Sequence, residues 1–257
     1  MAKQTRGKSN SFGSKSGKRS RNTATETDNQ VIDINRFQQR KQSTRLPTCH
    51  NPLIQARNQA QGHYLAAIKT HQLTFGLGPA GTGKTFCATA MAVEAFERRE
   101  VERIIFTRPA IEAGEHLGFL PGKLQEKLEP WFAIFRSYLS DMLGRGVVDC
   151  ALKNDRIVFE PLAFMRGKTF DNAFVLMDEA QNCTRLQLKM FLTRIGENSR
   201  VVINGDTRQS DLGNGSGLAD AASRLAGLHG VYIHEFETSD IVRSGLVRSI
   251  AARYETG

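Results

Sequence analysis

The sequence of 257 residues has no long apolar segment. Its longest uninterrupted apolar runs, among them YLAAI at 64–68 and AFVLM at 173–177, have five residues. An α-helix needs about 20 such residues to cross a bilayer. The N-terminus also lacks the apolar core of about 7–15 residues that a secretory signal contains. We therefore expect a cytoplasmic protein with no membrane association.

Cysteine is scarce as well. The four cysteines lie far apart, form no CxxC motif and have no histidine at metal-ligand spacing; they are Cys49, Cys87, Cys150 and Cys183. This pattern argues against a disulfide framework and against a zinc cluster. We expect reduced thiols that mostly fill the core.

Positive charge is concentrated at the start of the chain. Residues 1–45 contain 11 Lys and Arg against 3 Asp and Glu, whereas residues 46–257 contain 24 against 23. Before Val31, the tail has only Met1 and Phe12 as apolar residues beyond alanine, too few to form a core. We expect a disordered basic tail over 1–45 and one domain over 46–257. The tail either keeps the protein soluble or lies along nucleic-acid phosphates.

From residue 73 onward, short β-rich runs alternate with longer amphipathic segments. This alternation predicts an α/β fold with a mostly parallel sheet and helices on both faces. The predicted strands are 73–77, 103–107, 156–159, 173–178, 200–204 and 231–236. The predicted helices are 84–100, 130–143, 185–195, 218–228 and 241–254, and a further helical segment, RNQAQGHYLAAI, precedes the first strand.

The clearest motif is GPAGTGKT, which fits G-x-x-x-x-G-K-[ST] between a predicted strand and a predicted helix. Its glycines permit the close backbone approach that lets loop amides bind phosphate oxygens. Lys84 would reach the β- and γ-phosphates, and Thr85 would place its hydroxyl on Mg²⁺. The alternative is a glycine turn that only caps a helix. The candidate ATP-binding residues are Gly78, Pro79, Ala80, Gly81, Thr82, Gly83, Lys84 and Thr85.

Two acidic residues end the strand in FVLMDEAQ. Asp178 can hold Mg²⁺, and Glu179 can orient or deprotonate the attacking water. Both this motif and the phosphate loop fall at carboxyl ends of strands, where open α/β sheets bind ligands. The alternative is a polar strand end that caps the next helix.

A third segment, NGDTRQ, follows the next apolar strand. Asp206 and Gln209 can face the γ-phosphate and report its presence to the rest of the fold. An Asn-Gly-Asp turn without a ligand is the alternative. Upstream of the phosphate loop, Gln61 alone would ordinarily be a surface residue.

Together these elements resemble the ATPase core of superfamily 1 helicases. Three longer segments, 106–131, 160–182 and 190–212, resemble the PhoH family, and the resemblance covers about residues 55–255. It implies a RecA-like ATPase with Gln61 at the adenine, Asp178 and Glu179 at the metal and water, and Gln209 at the γ-phosphate. The third motif reads GDTRQ, with a basic Arg208 where a less charged residue is expected. We do not expect the nuclease or RNA-binding domains of some longer relatives here. The family name reflects an association with phosphate starvation.

A single RecA-like domain leaves the nucleotide half uncovered, so a catalytic cation would have to come from another subunit. A head-to-tail ring provides one, and the PhoH resemblance also implies a ring, with six as the candidate number of subunits. Arg243 in SDIVRSGLV is the first candidate; Arg224, Arg248 and Arg253 are alternatives. Any of the four can also be a solvated helix charge.

For a single-stranded nucleic acid, the candidate contacts are Arg108 in FTRPA and the pair Arg166 and Lys168 in FMRGKT. The resemblance to the helicase core places polynucleotide-facing loops at these strand ends. Alternatively, these cations form internal ion pairs with Glu112, Glu115 or Glu160.

The leading hypothesis is therefore an ATPase that is stimulated by nucleic acid, with RNA favoured over DNA. Two other classes share the phosphate loop. A small-molecule kinase would normally add an arginine-rich lid, which the sequence does not show. A regulatory module would use ATP only for assembly.

Overall fold

The structure is a computed structural model that describes residues 54–109, 124–210, 212, 216–242 and 253. The helices are α1 (Gln59–Thr70), α2 (Lys84–Glu97), α3 (Leu124–Leu143), α4 (Arg145–Lys153), α5 (Arg185–Leu192) and α6 (Leu218–Leu225). The strands are β1 (Leu73–Leu77), β2 (Arg103–Thr107), β3 (Ile157–Phe159), β4 (Ala173–Met177), β5 (Arg200–Gly205) and β6 (Val231–Glu235). No helix in these ranges is both long enough and apolar enough to cross a bilayer.

The six strands form one sheet in the order β3-β2-β4-β5-β1-β6, and every neighbouring pair is parallel. This order places β5 between β1 and β4. The segments that follow β1, β4 and β5 therefore emerge side by side at one edge of the sheet. These are the segments that carry the three motifs.

Successive strand residues face opposite sides of the sheet and pack into two cores. Ile104 and Phe106 belong to the core beneath α1 to α4, whereas Ile105 belongs to the core beneath α5 and α6. Strands β1 and β4 are buried along their whole length. Burial on both faces explains why β4 is a continuous apolar run and why β1 is mostly apolar, with Thr74 and Gly76 as its exceptions.

The fold class predicted from the sequence is confirmed, and the six strands lie within one residue of their predicted bounds. The start of one helix was wrong: α3 begins at Leu124 and contains Pro130 as an internal residue, although proline favours the first turn of a helix. The short helix α4 was not predicted, because glycines at 144 and 146 interrupt its pattern. The predicted helix 241–254 lies outside the described residues except at 241, 242 and 253, and the tail 1–45 lies outside them entirely.

Candidate active site

The phosphate loop connects β1 to α2, and two of its glycines occupy positions that only glycine fits. Gly78 has φ 131°, and a Cβ there would collide with the carbonyl oxygen of Phe236. Gly83 has φ 89°, and a Cβ there would lie 2.6 Å from Nε2 of Gln61. The loop is tied to the neighbouring strand because Gly78 N donates to Gly205 O at 3.1 Å. Gly78 thus lets the loop approach the segment after β6, and Gly83 lets it approach α1.

The ammonium group of Lys84 lies inside this loop. Its Nζ donates to Gly78 O at 2.6 Å and to Pro79 O at 2.8 Å. Burial lowers the pKa of Lys84, and the nearby carboxylates of Asp206, Asp178 and Glu179 oppose that shift. The carbonyl contacts hold the cation at the place where the motif predicts phosphate oxygens.

Thr85 and Asp178, the two predicted metal ligands, form a hydrogen bond with each other. Thr85 Oγ1 donates to Asp178 Oδ1 at 3.0 Å, and the Asp178 side chain is 5% exposed. The second oxygen, Oδ2, accepts a hydrogen bond from Arg108 Nη2 at 2.6 Å. A hydroxyl and a carboxylate suit Mg²⁺, which usually takes one or two carboxylates together with phosphate oxygens and waters.

Glu179 is held in an unusual backbone conformation and by one side chain. Its φ of 57° and ψ of 36° are left-handed, which is uncommon for a residue other than glycine. Gln181 Nε2 donates to Glu179 Oε2 at 2.6 Å, and Gln181 Oε1 accepts from Asp206 N at 3.1 Å. The buried Gln181 therefore links the candidate base to the loop after β5. The sequence placed Gln181 in a motif but gave it no role.

The three motifs line one cavity of about 270 Å³. Lys84, Thr85, Asp178, Glu179 and Gln209 all contribute to its wall. The partly exposed Phe86, Ile134 and Tyr138 also line this cavity. The cavity thus brings together the candidate catalytic and metal-binding residues from the ends of β1, β4 and β5.

Helix α1 contacts this region through two buried side chains. Gln61 is buried rather than on the surface, and its Nε2 donates to Thr82 O at 2.9 Å. Tyr64 donates its hydroxyl proton to Asn204 Oδ1, and burial raises the pKa of this phenol well above its usual value. The space for Tyr64 exists because Gly76 has no side chain at this point. No pattern in the sequence predicts the Tyr64–Asn204 contact.

The candidate nucleic-acid residues separate into two places. Arg108 lies in the wall of this cavity and pairs with Asp178, and two of its predicted alternative partners, Glu112 and Glu115, lie outside the described residues. Lys168 forms an ion pair with Glu160, and Arg166 is exposed. Phe164, which the sequence analysis did not single out, is 50% exposed beside them.

The candidate catalytic arginine from a neighbouring subunit, Arg243, lies outside the described residues, as does Arg248. Arg224 forms an ion pair with Asp220 on the surface of α6. Arg253 is exposed. The choice among these four arginines stays a prediction.

A parallel sheet with a phosphate loop after β1 and an Asp-Glu pair after β4 defines the RecA-like class of P-loop NTPases. Within that class, the chain belongs to the PhoH family, described as "PhoH-like protein", whose sequence profile matches residues 53–255. The family resemblance drawn from the sequence is thereby confirmed.

Two proteins of similar sequence support the same family assignment. The chain is 46% identical over 204 residues to the PhoH-like protein of Bacillus subtilis, covering 79% of this chain and 64% of that protein. It is 47% identical over 205 residues to Protein PhoH of Escherichia coli K12, covering 78% and 58%. The chain thus spans about three fifths of the length of these relatives.

Solved structures show a more distant likeness. The Hef helicase domain of Pyrococcus furiosus aligns with a TM-score of 0.46 at 11% identity, covering 70% of this chain and 38% of that one. The SWI2/SNF2 ATPase core of Sulfolobus solfataricus in complex with dsDNA aligns with a TM-score of 0.40 at 16% identity, covering 62% and 34%.

Proposed function

We propose that this chain binds ATP with Mg²⁺ and hydrolyses it, and that single-stranded nucleic acid, RNA in preference to DNA, stimulates the reaction. The observation that carries the proposal is the single cavity lined by Lys84, Thr85, Asp178, Glu179 and Gln209. These side chains provide a phosphate cation, two metal ligands, a general base and a γ-phosphate contact. That set provides the parts that a single subunit contributes to transfer of a phosphoryl group to water.

Each residue has a distinct task in this reaction. Lys84 exchanges its carbonyl partners in the loop for β- and γ-phosphate oxygens. Thr85 and Asp178 would hold Mg²⁺, which would supply positive charge against the charge that develops on the phosphates. Glu179 accepts a proton from the attacking water once Gln181 has oriented its carboxylate, and Gln209 donates to the γ-phosphate. Gln61 holds the loop from the α1 side and is also the candidate adenine contact.

The subunits work as a ring, for which six is the candidate number of subunits. Within the part of the chain that the structure describes, the cations lining the cavity are Lys84 and Arg108, and both belong to the same subunit as the phosphate loop. A ring adds a neighbour's arginine, Arg243, across the open side of the site. Phe164, Arg166 and Lys168 provide an aromatic ring and two cations for a single strand.

Steady-state ATP hydrolysis with and without single-stranded RNA or DNA tests the proposal. We expect turnover by the wild type, an increase with RNA, and loss of turnover in Lys84→Ala. Lys153→Ala is the matched control, because Lys153 is an exposed lysine at the end of α4. ATP binding without hydrolysis in the wild type would instead support a regulatory module. Transfer of phosphate to a small acceptor would support a kinase.

A further inference from the structure

Two carbonyl oxygens in the middle of the phosphate loop are held by donors from outside the loop. Gly81 O accepts a hydrogen bond from Val242 N at 3.0 Å. Thr82 O accepts one from Gln61 Nε2 at 2.9 Å, and this contact is buried. One donor belongs to the segment after β6 and the other to α1.

These carbonyl contacts determine where the next two amide groups of the loop point. A peptide unit is planar and trans, so its C=O and its N–H point in opposite directions. Because Gly81 O and Thr82 O are turned to their donors, the N–H groups of Thr82 and Gly83 are turned to the other side. Within the described part of the chain, neither N–H donates to another group. Successive N–H groups of this kind bind phosphate oxygens in phosphate loops.

The side-chain amide of Gln61 is engaged at both of its polar atoms. Nε2 donates to Thr82 O, and Oε1 accepts from Arg57 N at 2.9 Å. The residue is only 5% exposed. A glutamine that reads adenine uses the same two atoms for N6 and N7 of the base. Contact with adenine would therefore compete with the hydrogen bonds that Gln61 makes to its own chain.

Asn58 connects the two supports of the loop. Its Oδ1 accepts from Gln61 N at 2.8 Å and caps α1, and its Nδ2 donates to Asp240 O at 3.1 Å. Asp240 lies two residues before Val242, whose N–H holds the loop. Helix α1 and the segment after β6 are therefore tied to each other as well as to the loop.

We infer that Gln61 is a positioning residue for the triphosphate and not a contact of the base. Through Thr82 O it fixes the direction of the Gly83 N–H, and Val242 acts in the same way on the N–H of Thr82. This inference rests on the proposed function and decides between the two tasks that it leaves to Gln61. The part of the ligand that depends on Gln61 is the phosphate chain, so nucleoside triphosphates with different bases are affected alike.

Competition binding of three ligands tests the inference without relying on turnover. A fluorescent ATP analogue, bound with Mg²⁺ to the full-length chain, is displaced by ATP, by GTP or by tripolyphosphate, which has no base. The wild type is compared with Gln61→Met, which keeps the length of the side chain but removes its amide. Gln59→Met is the matched control, because Gln59 is an exposed glutamine at the first position of the same helix.

In Gln61→Met we expect the affinity for tripolyphosphate to fall by about 10- to 150-fold, the factor that one hydrogen bond to a charged group provides. The affinities for ATP and GTP should fall by the same factor, so the ratio between them stays at the wild-type value. Gln59→Met should leave all three affinities unchanged. The melting temperature of each variant without ligand shows whether a loss of binding reflects a loss of folded protein.

Two results would overturn the inference. Unchanged affinity for tripolyphosphate in Gln61→Met would show that the loop amides do not depend on the Gln61 contact. Weaker binding of ATP alone, with GTP and tripolyphosphate bound as in the wild type, would make Gln61 an adenine contact.

Asn58→Asp replaces Gln61→Met if the latter does not fold. Aspartate still accepts from Gln61 N at the start of the helix but no longer donates to Asp240 O. The affinities for all three ligands should again fall by one common factor, and unchanged binding of tripolyphosphate would overturn the inference. A wild type that binds neither ATP nor tripolyphosphate would refute the proposed function itself, whereas binding without hydrolysis would leave this comparison of ligands fully applicable.

Discussion

At the scale of single residues, the uncharged side chain of Gln181 positions the candidate base Glu179. Its amide joins Glu179 Oε2 to the backbone N–H of Asp206 at 2.6 and 3.1 Å. Ser210 donates to the carbonyl oxygen of Gln181 at 3.0 Å, which adds a second tie to the loop after β5. The orientation of Glu179 thus depends on the segment that carries Gln209.

We predict that Gln181→Leu lowers kcat by about 10- to 100-fold, a part of what a positioned general base contributes. ATP affinity should change little, because no hydrogen bond of Gln181 reaches Lys84 or the glycines of the phosphate loop. Single-turnover hydrolysis and equilibrium ATP binding measure the two effects separately. Gln72→Leu, at an exposed glutamine, is the control. Equal losses in binding and turnover would contradict a positioning role.

The two acidic residues should behave differently when neutralised. Glu179→Gln preserves shape but removes the base, so we expect normal ATP binding with turnover reduced by about 10²- to 10⁴-fold. Asp178→Asn should weaken binding of Mg²⁺·ATP itself, because it removes a charged metal ligand. Filter binding of ATP with and without EDTA separates the two variants. Wild-type turnover in Glu179→Gln would disprove this division of roles.

At the scale of elements, helix α1 fixes β5 relative to the phosphate loop. Tyr64→Phe leaves Asn204 Oδ1 without the donor that it has now, inside a fully buried site. We predict a loss of about 1–3 kcal/mol in the free energy of unfolding, the cost of an unsatisfied buried polar group. Urea denaturation measures it. Tyr232→Phe, at an exposed ring on β6, should stay within about 0.5 kcal/mol of the wild type.

Elements with a strong local pattern were predictable, and contacts between elements were not. Strands β1 and β4 could be found because burial on both faces favours mostly apolar residues. The phosphate loop could be found because its glycines are required by backbone geometry. By contrast, the pairing of Arg108 with Asp178 joins residues 70 positions apart. Nothing near Arg108 in the sequence indicates that it pairs with Asp178 and not with Glu160.

At the scale of the whole molecule, the ring proposal predicts complementation between two inactive variants. A Lys84→Ala subunit retains Arg243, and an Arg243→Ala subunit retains the phosphate loop. Random mixing in equal amounts should complete about one interface in four and restore a corresponding share of activity. Mixing Lys84→Ala with Glu179→Gln is the control, because neither variant then contributes an intact cavity. A fully active monomer in sedimentation experiments would exclude the ring.

The last prediction concerns the basic tail, whose 11 Lys and Arg against 3 Asp and Glu carry nearly all of the net charge of +9. If the tail contacts RNA phosphates, each lost contact removes about 0.7 from the slope of log affinity against log salt. Four to six contacts would change that slope by roughly 3–4. Basal ATP hydrolysis should persist, because the proposed catalytic residues all lie between Gly78 and Arg243.

Two altered chains separate charge from length in this test. One begins at Leu46, and the other keeps all 257 residues but carries glutamine at the 11 tail cations. If the positive charges of the tail contact the phosphates, both chains should show the same reduced slope of log affinity against log salt in fluorescence titrations. A slope equal to that of the wild type in both would make the tail a solubilising segment. RNA binding would then depend on Arg108, Arg166 and Lys168, whose charges belong to the domain itself.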